Sequence, residues 1–218
     1  MTMLIYHITL VRSKSYITEK YGAQFWKEFR VLSKKQLLTI LQNTPDIGKS
    51  VFSFNYKFGP PYIAWYKTYL DLGLEQEEAI QNIWKMNENM VTVIPRPLLH
   101  ASGIAYMGSF RKKAKAHINR QESGNLHPYD WKIHFRDIDK NCFEIDITEC
   151  ALKKLAHDFD ADGLLPGICR MDYLFSSHMG NGFSRTKTLG DGDDCCNCHY
   201  ELKGTCEWAP EKGFENRR

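Results

Sequence analysis

The side chains of residues 143–201 include three thiols, a carboxylate and a guanidinium that together could carry out covalent or acid–base chemistry. They belong to Cys150, Cys169, Cys196, Asp172 and Arg185. A cysteine reacts as its thiolate, which needs a positive neighbour, a helix N-terminus or a base. A carboxylate can exchange protons with a substrate heteroatom, and arginine can bind a carboxylate through two parallel hydrogen bonds. The sequence therefore indicates chemistry in the C-terminal third of the chain.

Cys150 and Cys169 each occupy a position that favours reactivity. Cys150 lies where a predicted strand ends and a predicted helix begins, so that free backbone N–H groups could stabilise its thiolate. Cys169 lies three residues before Asp172 on a predicted helix, and residues at that spacing share a face. A buried structural cysteine and a surface carboxylate explain the second pair equally well, so both interpretations stay open.

Two more residues could assist a reaction in this region. Arg185 is predicted to lie on a strand at the edge of the region, where it could hold a substrate carboxylate. A surface arginine is the alternative interpretation. His178 is close to Arg185 in the sequence and is a candidate general base.

The cysteines near the end of the chain suggest a metal site as an alternative. Cys195, Cys196, Cys198 and His199 all have side chains that can bind zinc. No zinc-finger spacing is present, however, and on a strand Cys196 and Cys198 would face one side that Cys195 and His199 do not share. We expect no cofactor, with zinc as the less favoured alternative, and the metal content is unknown from the sequence.

Helical periodicity dominates the first 124 residues. Helices are predicted over residues 18–43, 60–73 and 98–120 and from residue 75 to the stop at Pro95 and Pro97, with apolar side chains at helical spacing and Pro or Gly at their boundaries. The opening segment 3–11 is predicted to be a first strand or a packed arm, without the features of a signal peptide.

After Gly124 the period of the apolar residues changes to two. We predict strands over 131–136 and 143–148, helices over 151–159 and 164–178, and strands over 183–189 and 196–203. The prediction is an α+β fold, in which a helical N-terminal half packs on a small, mainly antiparallel β-sheet in the C-terminal half. One domain is expected over 1–218, divided into a helical half (1–124), a sheet-containing half with the site (125–208) and a frayed tail (209–218).

The composition is that of a globular protein, and we expect it in the cytoplasm. Hydrophobic residues make up 43% and charged residues 25% of the 218 residues, and no apolar run is long enough to span a bilayer. The seven cysteines are an odd number, which favours reduced thiols over a disulfide framework. Five positive charges lie within residues 111–120, where a solvated helix face is favoured over a nucleic-acid site. The expected partner is a small-molecule substrate, with no membrane partner, and a homo-oligomer is left open.

The order of the motifs resembles the signature of the L-2-amino-thiazoline-4-carboxylic acid hydrolase family. Thr148-Glu149-Cys150 ends a strand, Cys169-Arg170-Met171-Asp172 follows on a helix, and Arg185-Thr186-Lys187-Thr188-Leu189 precedes Gly192 and Cys196. The resemblance covers about the last third of the chain. It implies hydrolysis of a cyclic amidine-like ring. In the named substrate, water attacks the ring carbon between nitrogen and sulfur and opens the ring to an N-carbamoyl cysteine.

The resemblance also implies roles for individual residues. The catalytic residues would be Cys169, Asp172, Cys150 and Cys196, and the substrate-binding residues would be Arg185 and Thr188, to which His178 is added for its position near Arg185. A thiolate of Cys169 or Cys150, or a water activated by Asp172, would add to the ring carbon. Asp172 would then protonate the leaving heteroatom, while Arg185 held the substrate carboxylate. This hypothesis predicts that Cys169→Ser or Asp172→Asn abolishes ring opening.

The last predicted strand departs from the family pattern. Where the family tends to read Cys-Asp-Phe-Arg-Tyr, this chain has Cys196-Asn197-Cys198-His199-Tyr200, so an amide replaces a carboxylate and a histidine replaces an arginine. If these side chains touch the substrate, the preferred ring differs from the thiazoline.

A small-molecule-binding or sensory domain is the alternative function. The stretch from Gly190 to Cys196 faintly resembles the end of the 4-vinyl reductase type of ligand-binding domain, some members of which bind zinc through cysteines. Such a domain would bind its ligand without changing it.

Overall fold

The computed structural model describes residues 1–92 and 95–206, and the predicted frayed tail lies outside these ranges. Its helices are α1 (Thr2–Asn43), α2 (Ser53–Tyr56), α3 (Gly59–Asp71), α4 (Gln76–Val91), α5 (Arg96–Glu122), α6 (Ala151–Asp158), α7 (Leu165–Cys169) and α8 (Met171–Met179). Its strands are β1 (Lys132–Asp137), β2 (Cys142–Glu149), β3 (Gly182–Ser184) and β4 (Cys196–Glu201). The predicted α+β fold, with its helical N-terminal half and its antiparallel sheet, is confirmed.

The opening segment is helical, so the prediction of a strand or arm over residues 3–11 was wrong. Ile5, Leu10 and Ile17 are buried on one side of α1, whereas Leu4 and Val11 are exposed. A short apolar run does not distinguish a strand from one face of a helix, and here the helix continues far beyond the run. α1 breaks at Gly22, where φ is +90° and glycine is favoured.

Helices α1, α3 and α4 pack together around aromatic side chains. The rings of Tyr6 and Trp65 stack with centroids 5.6 Å apart, and those of Phe29 and Tyr69 lie 4.5 Å apart. All four side chains are buried. α4 also contacts α7 and α8, so this helical layer supports the elements that carry the site. Within residues 1–92 and 95–206, no helix has the length and apolar character of a membrane span.

The four strands form one antiparallel sheet with the order β1-β2-β4-β3. Its inner face carries a row of rings, in which Tyr200 lies between Phe143 and Phe183 at centroid distances of 5.0 and 4.8 Å. Phe110 of α5 stacks on Phe143 at 5.1 Å and closes this face. The sheet therefore has a buried inner face toward the helices and a polar outer face.

Two predicted elements of the C-terminal half are shorter than expected. The helix predicted over 164–178 is interrupted at Arg170, which lies between α7 and α8. The strand predicted over 183–189 ends at Ser184, because the backbone N–H groups of Thr186 and Lys187 donate to the side-chain oxygen of Asn197, at 3.0 and 2.8 Å. The side chain of Asn197 thus takes the place of a backbone hydrogen-bond partner on a neighbouring strand.

The basic segment 111–120 lies on α5 next to the sheet. Arg111 and Lys115 form ion pairs with Asp137 of β1, at 3.4 and 2.6 Å, while Lys112 and Lys113 are exposed. These contacts link α5 to the edge of the sheet. The exclusion of a nucleic-acid partner stays a prediction.

Candidate active site

Arg185 connects two of the predicted site residues. Its Nη1 donates to Oδ2 of Asp172 at 3.2 Å, and its Nη2 donates to the backbone carbonyl of Cys169 at 2.8 Å. The guanidinium carbon lies 5.3 Å from the ring centroid of Tyr173 and 5.6 Å from that of Phe183. The Arg185 side chain is only 2% exposed, whereas that of Asp172 is 35% exposed. A buried cation thus holds a carboxylate that water can reach.

Asp172 lies in the first turn of α8. The positive end of the helix and the guanidinium of Arg185 both favour an ionised carboxylate. An ionised and accessible carboxylate can accept a proton from water. The prediction that Cys169 and Asp172 share one helix was wrong, because Cys169 is the last residue of α7 and Asp172 lies in α8. The two residues meet through their common contact with Arg185.

Arg170 fixes the site loop, residues 185–196, against Cys169. The fully buried Arg170 side chain donates two hydrogen bonds to Asp191, at 2.9 and 2.6 Å, and one to the carbonyl of Pro166 at 3.1 Å. A Cβ atom at Gly190 would lie 2.7 Å from Sγ of Cys169, closer than packing allows. The ion pair and the glycine together bring the loop into contact with the thiol.

Cys196 and Thr188 close the other end of the site loop. The backbone N–H of Leu189 donates to Sγ of Cys196 at 3.2 Å, and Oγ1 of Thr188 lies 3.4 Å from the same sulfur. Thr188 is fully buried, and its Oγ1 also accepts from the N–H of Gly190 at 3.3 Å. In this position Thr188 shapes the loop, and its substrate-binding role stays a prediction.

Burial raises the pKa of two site thiols, Cys150 and Cys169, and so keeps both protonated at neutral pH. Burial raises the pKa of Cys150 to about 11, although the backbone N–H groups of Lys153 and Leu152 act in the opposite direction. Cys150 does precede the first residue of α6, as predicted, but the helix N-terminus does not outweigh desolvation. Burial also raises the pKa of Cys169, against the opposing effect of Arg185. Charges on Cys150, Cys169 and Cys196 influence one another, which places the three thiols in one region.

The structure adds a fourth thiol and two hydroxyl groups that sequence reasoning did not assign to the site. Burial raises the pKa of Cys198 well above its usual value, the Arg185 guanidinium lowers it, and Asp172 raises it further. Burial and then the Asp172 charge also raise the pKa of Tyr106 and of Tyr200. The alternation of the predicted strand placed Cys198 on the same side as Cys196, so the sequence did contain a signal for Cys198. No motif marks Tyr106.

His178 lies in the last turn of α8, away from the first turn that carries Asp172. Its Nδ1 is 2.9 Å from the carbonyl oxygen of Leu174, one turn earlier, so the ring lies along the helix. Its role as a general base stays a prediction.

The two departures from the family pattern lie on the outer face of the sheet. The Asn197 side chain accepts from the backbone of the site loop and donates to Oγ1 of Thr186 at 2.9 Å. His199 lies 3.3 Å from a carboxylate oxygen of Glu144 and 3.6 Å from Sγ of Cys142. Both side chains point away from the inner face that carries Cys196 and Cys198, so neither departure alters the inner lining.

The metal content of the protein stays a prediction. In the part of the chain that the structure describes, no group of three or more His, Cys, Asp and Glu side chains is arranged to hold a metal ion. The inward alternation of Cys196 and Cys198 separates them from Cys195 and His199, as predicted from the strand period.

Comparison with protein families matches residues 63–200 to the model of the L-2-amino-thiazoline-4-carboxylic acid hydrolases. No curated protein gives a match. The matched range is more than half of the chain and runs from α3 to β4, so it includes Asp172, Arg185 and the thiols. The chain therefore belongs to the L-2-amino-thiazoline-4-carboxylic acid hydrolase family.

Proposed function

We propose that this protein hydrolyses a small cyclic amidine-like ring, with L-2-amino-thiazoline-4-carboxylate as the first candidate substrate. Membership of the hydrolase family supports this reaction class. The observation that carries the proposal is the pair of Asp172 and Arg185, in which an accessible carboxylate is held by a buried guanidinium. Such a pair suits the activation of a water molecule next to a bound ring.

The reaction consumes one water and breaks the bond between the ring carbon and sulfur. Asp172 takes a proton from the water as its oxygen adds to the carbon between nitrogen and sulfur. The ring nitrogen gains one proton, the electron pair of the broken bond leaves with sulfur, and sulfur gains the other proton through Asp172. The product is an N-carbamoyl cysteine with a free thiol.

Water activation agrees better with the thiol environment than attack by a thiolate does. Burial raises the pKa of Cys169 and of Cys150, so formation of a thiolate at either residue is unfavourable at neutral pH. The thiols then line the site and exclude bulk water, while Asp172 handles the protons. A covalent intermediate on either cysteine is the competing route within the same proposal.

Incubation with a panel of thiazolines and cyclic amidines, followed by mass spectrometry, tests the proposed function. We expect at least one ring carrying a carboxylate to gain the mass of one water, with a new free thiol where the ring contained sulfur. If every ring leaves the incubation with unchanged mass, including the aminothiazoline carboxylate, the proposed function is wrong.

A further inference from the structure

The first half of α1 exposes a row of apolar side chains to solvent. Leu4, Ile8 and Val11 follow one another at spacings of four and three residues, which places them on one face of the helix. The exposed fractions are 55% for Leu4, 36% for Ile8 and 72% for Val11. These three side chains form the outer stripe. A contiguous apolar patch of this kind marks an interaction surface, whereas single exposed apolar residues do not.

The opposite side of the same helical segment is also apolar, and it is buried. Ile5, Tyr6 and Leu10 belong to the core, and α1 packs on α3 and α4. A helix that is apolar on both sides is typical of one that is covered on both sides. Within residues 1–92 and 95–206 only the inner side of this segment is covered, so the outer stripe lacks a partner.

Positive charges flank the outer stripe. With 3.6 residues per turn, Arg12 lies on one side of the stripe, and Lys14 lies on the other side together with His7. All three side chains are exposed. Residues 2–18 contain no Asp or Glu. The surface around the stripe therefore attracts an anionic partner.

The same composition recurs farther along α1. Val31 and Leu38 are 62% and 49% exposed, and the exposed side chains of Lys34 and Lys35 lie between them in the sequence. Residues 2–43 contain seven Lys or Arg and two Glu, so α1 has a formal charge of +5, while the whole chain has +3. Repetition of apolar and basic residues along one helix favours an extended anionic surface over a small pocket as the partner.

Two other partners satisfy only part of this pattern. A second copy of the stripe would supply no acidic side chain to pair with the cations, because residues 2–18 contain none. A nucleic acid would pair its phosphates with the cations but would leave the apolar side chains in water. The surface of an anionic bilayer satisfies both, since it offers phosphates at the level of the cations and acyl chains below them.

We infer that the protein binds the surface of an anionic lipid bilayer through the outer stripe. Leu4, Ile8 and Val11 enter the boundary between headgroups and acyl chains, and Arg12 and Lys14 extend to the lipid phosphates. This inference departs from the expectation that the chain has no membrane partner, and it concerns contact with a bilayer surface rather than a span. It does not rest on the proposed function.

Flotation of the full chain with lipid vesicles tests the inference. One set of vesicles is phosphatidylcholine alone, and the other contains about 30% phosphatidylglycerol. We expect at least about tenfold stronger binding to the anionic vesicles, and this preference should decrease as salt is added. Equal binding to both sets would overturn the inference. Binding to neither would also overturn it and would assign the stripe to a protein partner.

The double variant Leu4→Gln/Val11→Gln tests the apolar contact. We expect it to bind anionic vesicles at least about tenfold more weakly than the wild type, because binding scales with the apolar area that enters the bilayer. The melting temperature should stay unchanged, since both side chains are exposed. Ile138→Gln is the matched control, because Ile138 is 54% exposed on a different element, and it should bind like the wild type. Full binding by the double variant would overturn the inference.

Arg12→Gln/Lys14→Gln tests the charge contribution. This variant should lose most of the preference for anionic vesicles, whereas Lys112→Gln/Lys113→Gln, which removes two exposed cations of α5, should keep it. Equal losses in the two variants would mean that the attraction does not reside in α1, and would overturn the inference.

Analytical ultracentrifugation in the absence of vesicles distinguishes the bilayer from a second copy. We expect the same sedimentation behaviour for the wild type and for Leu4→Gln/Val11→Gln. A dimer that this variant dissociates, together with no binding to vesicles, would assign the outer stripe to an interface between copies of the chain and overturn the inference.

Discussion

Asp172 and the thiols differ in their readiness to exchange protons. The carboxylate is accessible and paired with Arg185, whereas burial raises the pKa of Cys150 and of Cys169. Proton transfer at neutral pH is therefore more favourable through the carboxylate than through either thiol. At the scale of single residues, this difference decides between the two routes of ring opening.

The first prediction concerns Cys169→Ser and Cys150→Ser. The family resemblance predicts loss of activity for Cys169→Ser, but the raised pKa of each half-buried thiol leads us to expect turnover within about tenfold of the wild type in both variants. Ring-opening rates provide the measurement, and intact-mass spectra of the wild type during turnover should contain no adduct. An adduct on Cys169 or Cys150 would establish the thiolate route instead.

At the scale of elements, the site depends on how the site loop is held against the break between α7 and α8. The Arg170–Asp191 ion pair crosses this junction with both side chains buried. Loss of one partner leaves the other charge buried without compensation, which costs more than the pair itself contributes.

Arg170→Met should therefore lower the free energy of unfolding by about 3–5 kcal/mol. The double variant Arg170→Met/Asp191→Leu should recover most of that loss, because it removes both charges. Urea unfolding of the single and double variants measures the difference. If the double variant is as unstable as the single one, the ion pair does more than neutralise two buried charges.

Gly190→Ala tests the contact between the site loop and Cys169. The added Cβ would lie 2.7 Å from Sγ of Cys169, so the loop must shift, and we expect a loss of about 1–3 kcal/mol in stability together with slower turnover. Gly108→Ala is the matched control. It lies in α5 with nothing within 4 Å of its Cβ position, and alanine should stabilise the helix by about 0.5–1 kcal/mol. Equal effects of the two substitutions would show that the loop does not press on the thiol.

The helices and strands that could be predicted from the sequence are those in which the apolar residues recur with a helical or a strand period. Helices α3 to α5 and strands β1, β2 and β4 have apolar residues at helical or alternating spacing. The break at Arg170 and the early end of β3 depend on partners 21 and 11 residues away, Asp191 and Asn197. Nothing in the local pattern identifies which of the three aspartates of the site loop will pair with Arg170, or that the Asn197 side chain of β4 will accept from the loop backbone.

The site was predictable to a similar degree. The motifs that resemble the family contain Asp172, Arg185 and the three thiols, and the fold brings them into one region. Their partners were predictable only in part, because the strand period indicates Cys198, whereas Tyr106 comes from the helical half and no motif indicates it. Whether Arg185 faces a substrate or Asp172 is decided by packing that no sequence spacing encodes.

At the scale of the whole molecule, thiols with a raised pKa make the free energy of unfolding depend on pH in the alkaline range. In the unfolded chain a cysteine loses its proton near pH 9, whereas Cys150 in the fold keeps it until about pH 11. Below pH 9 both states hold the proton, and the stabilisation is fully present. As the pH rises from 9 to 11, the unfolded state binds fewer protons than the folded state, so the free energy of unfolding falls.

Urea unfolding at pH 8 and pH 10.5 measures this fall. We expect a smaller decrease in the free energy of unfolding for Cys150→Ala than for the wild type, because a thiol with a raised pKa has been removed. An identical decrease in both proteins would mean that Cys150 does not hold its proton more tightly in the fold than in the unfolded chain.

The account as a whole depends on one carboxylate at the start of α8, held by Arg185 and open to water. The ring-opening rate of Asp172→Asn, compared with that of Asp160→Asn, tests it most directly, since Asp160 is an exposed aspartate in the same half of the chain. We predict a loss of at least about 100-fold for Asp172→Asn, with an unchanged fold by circular dichroism, and no loss for Asp160→Asn. Turnover by Asp172→Asn at the rate of the wild type would contradict the assignment of the site.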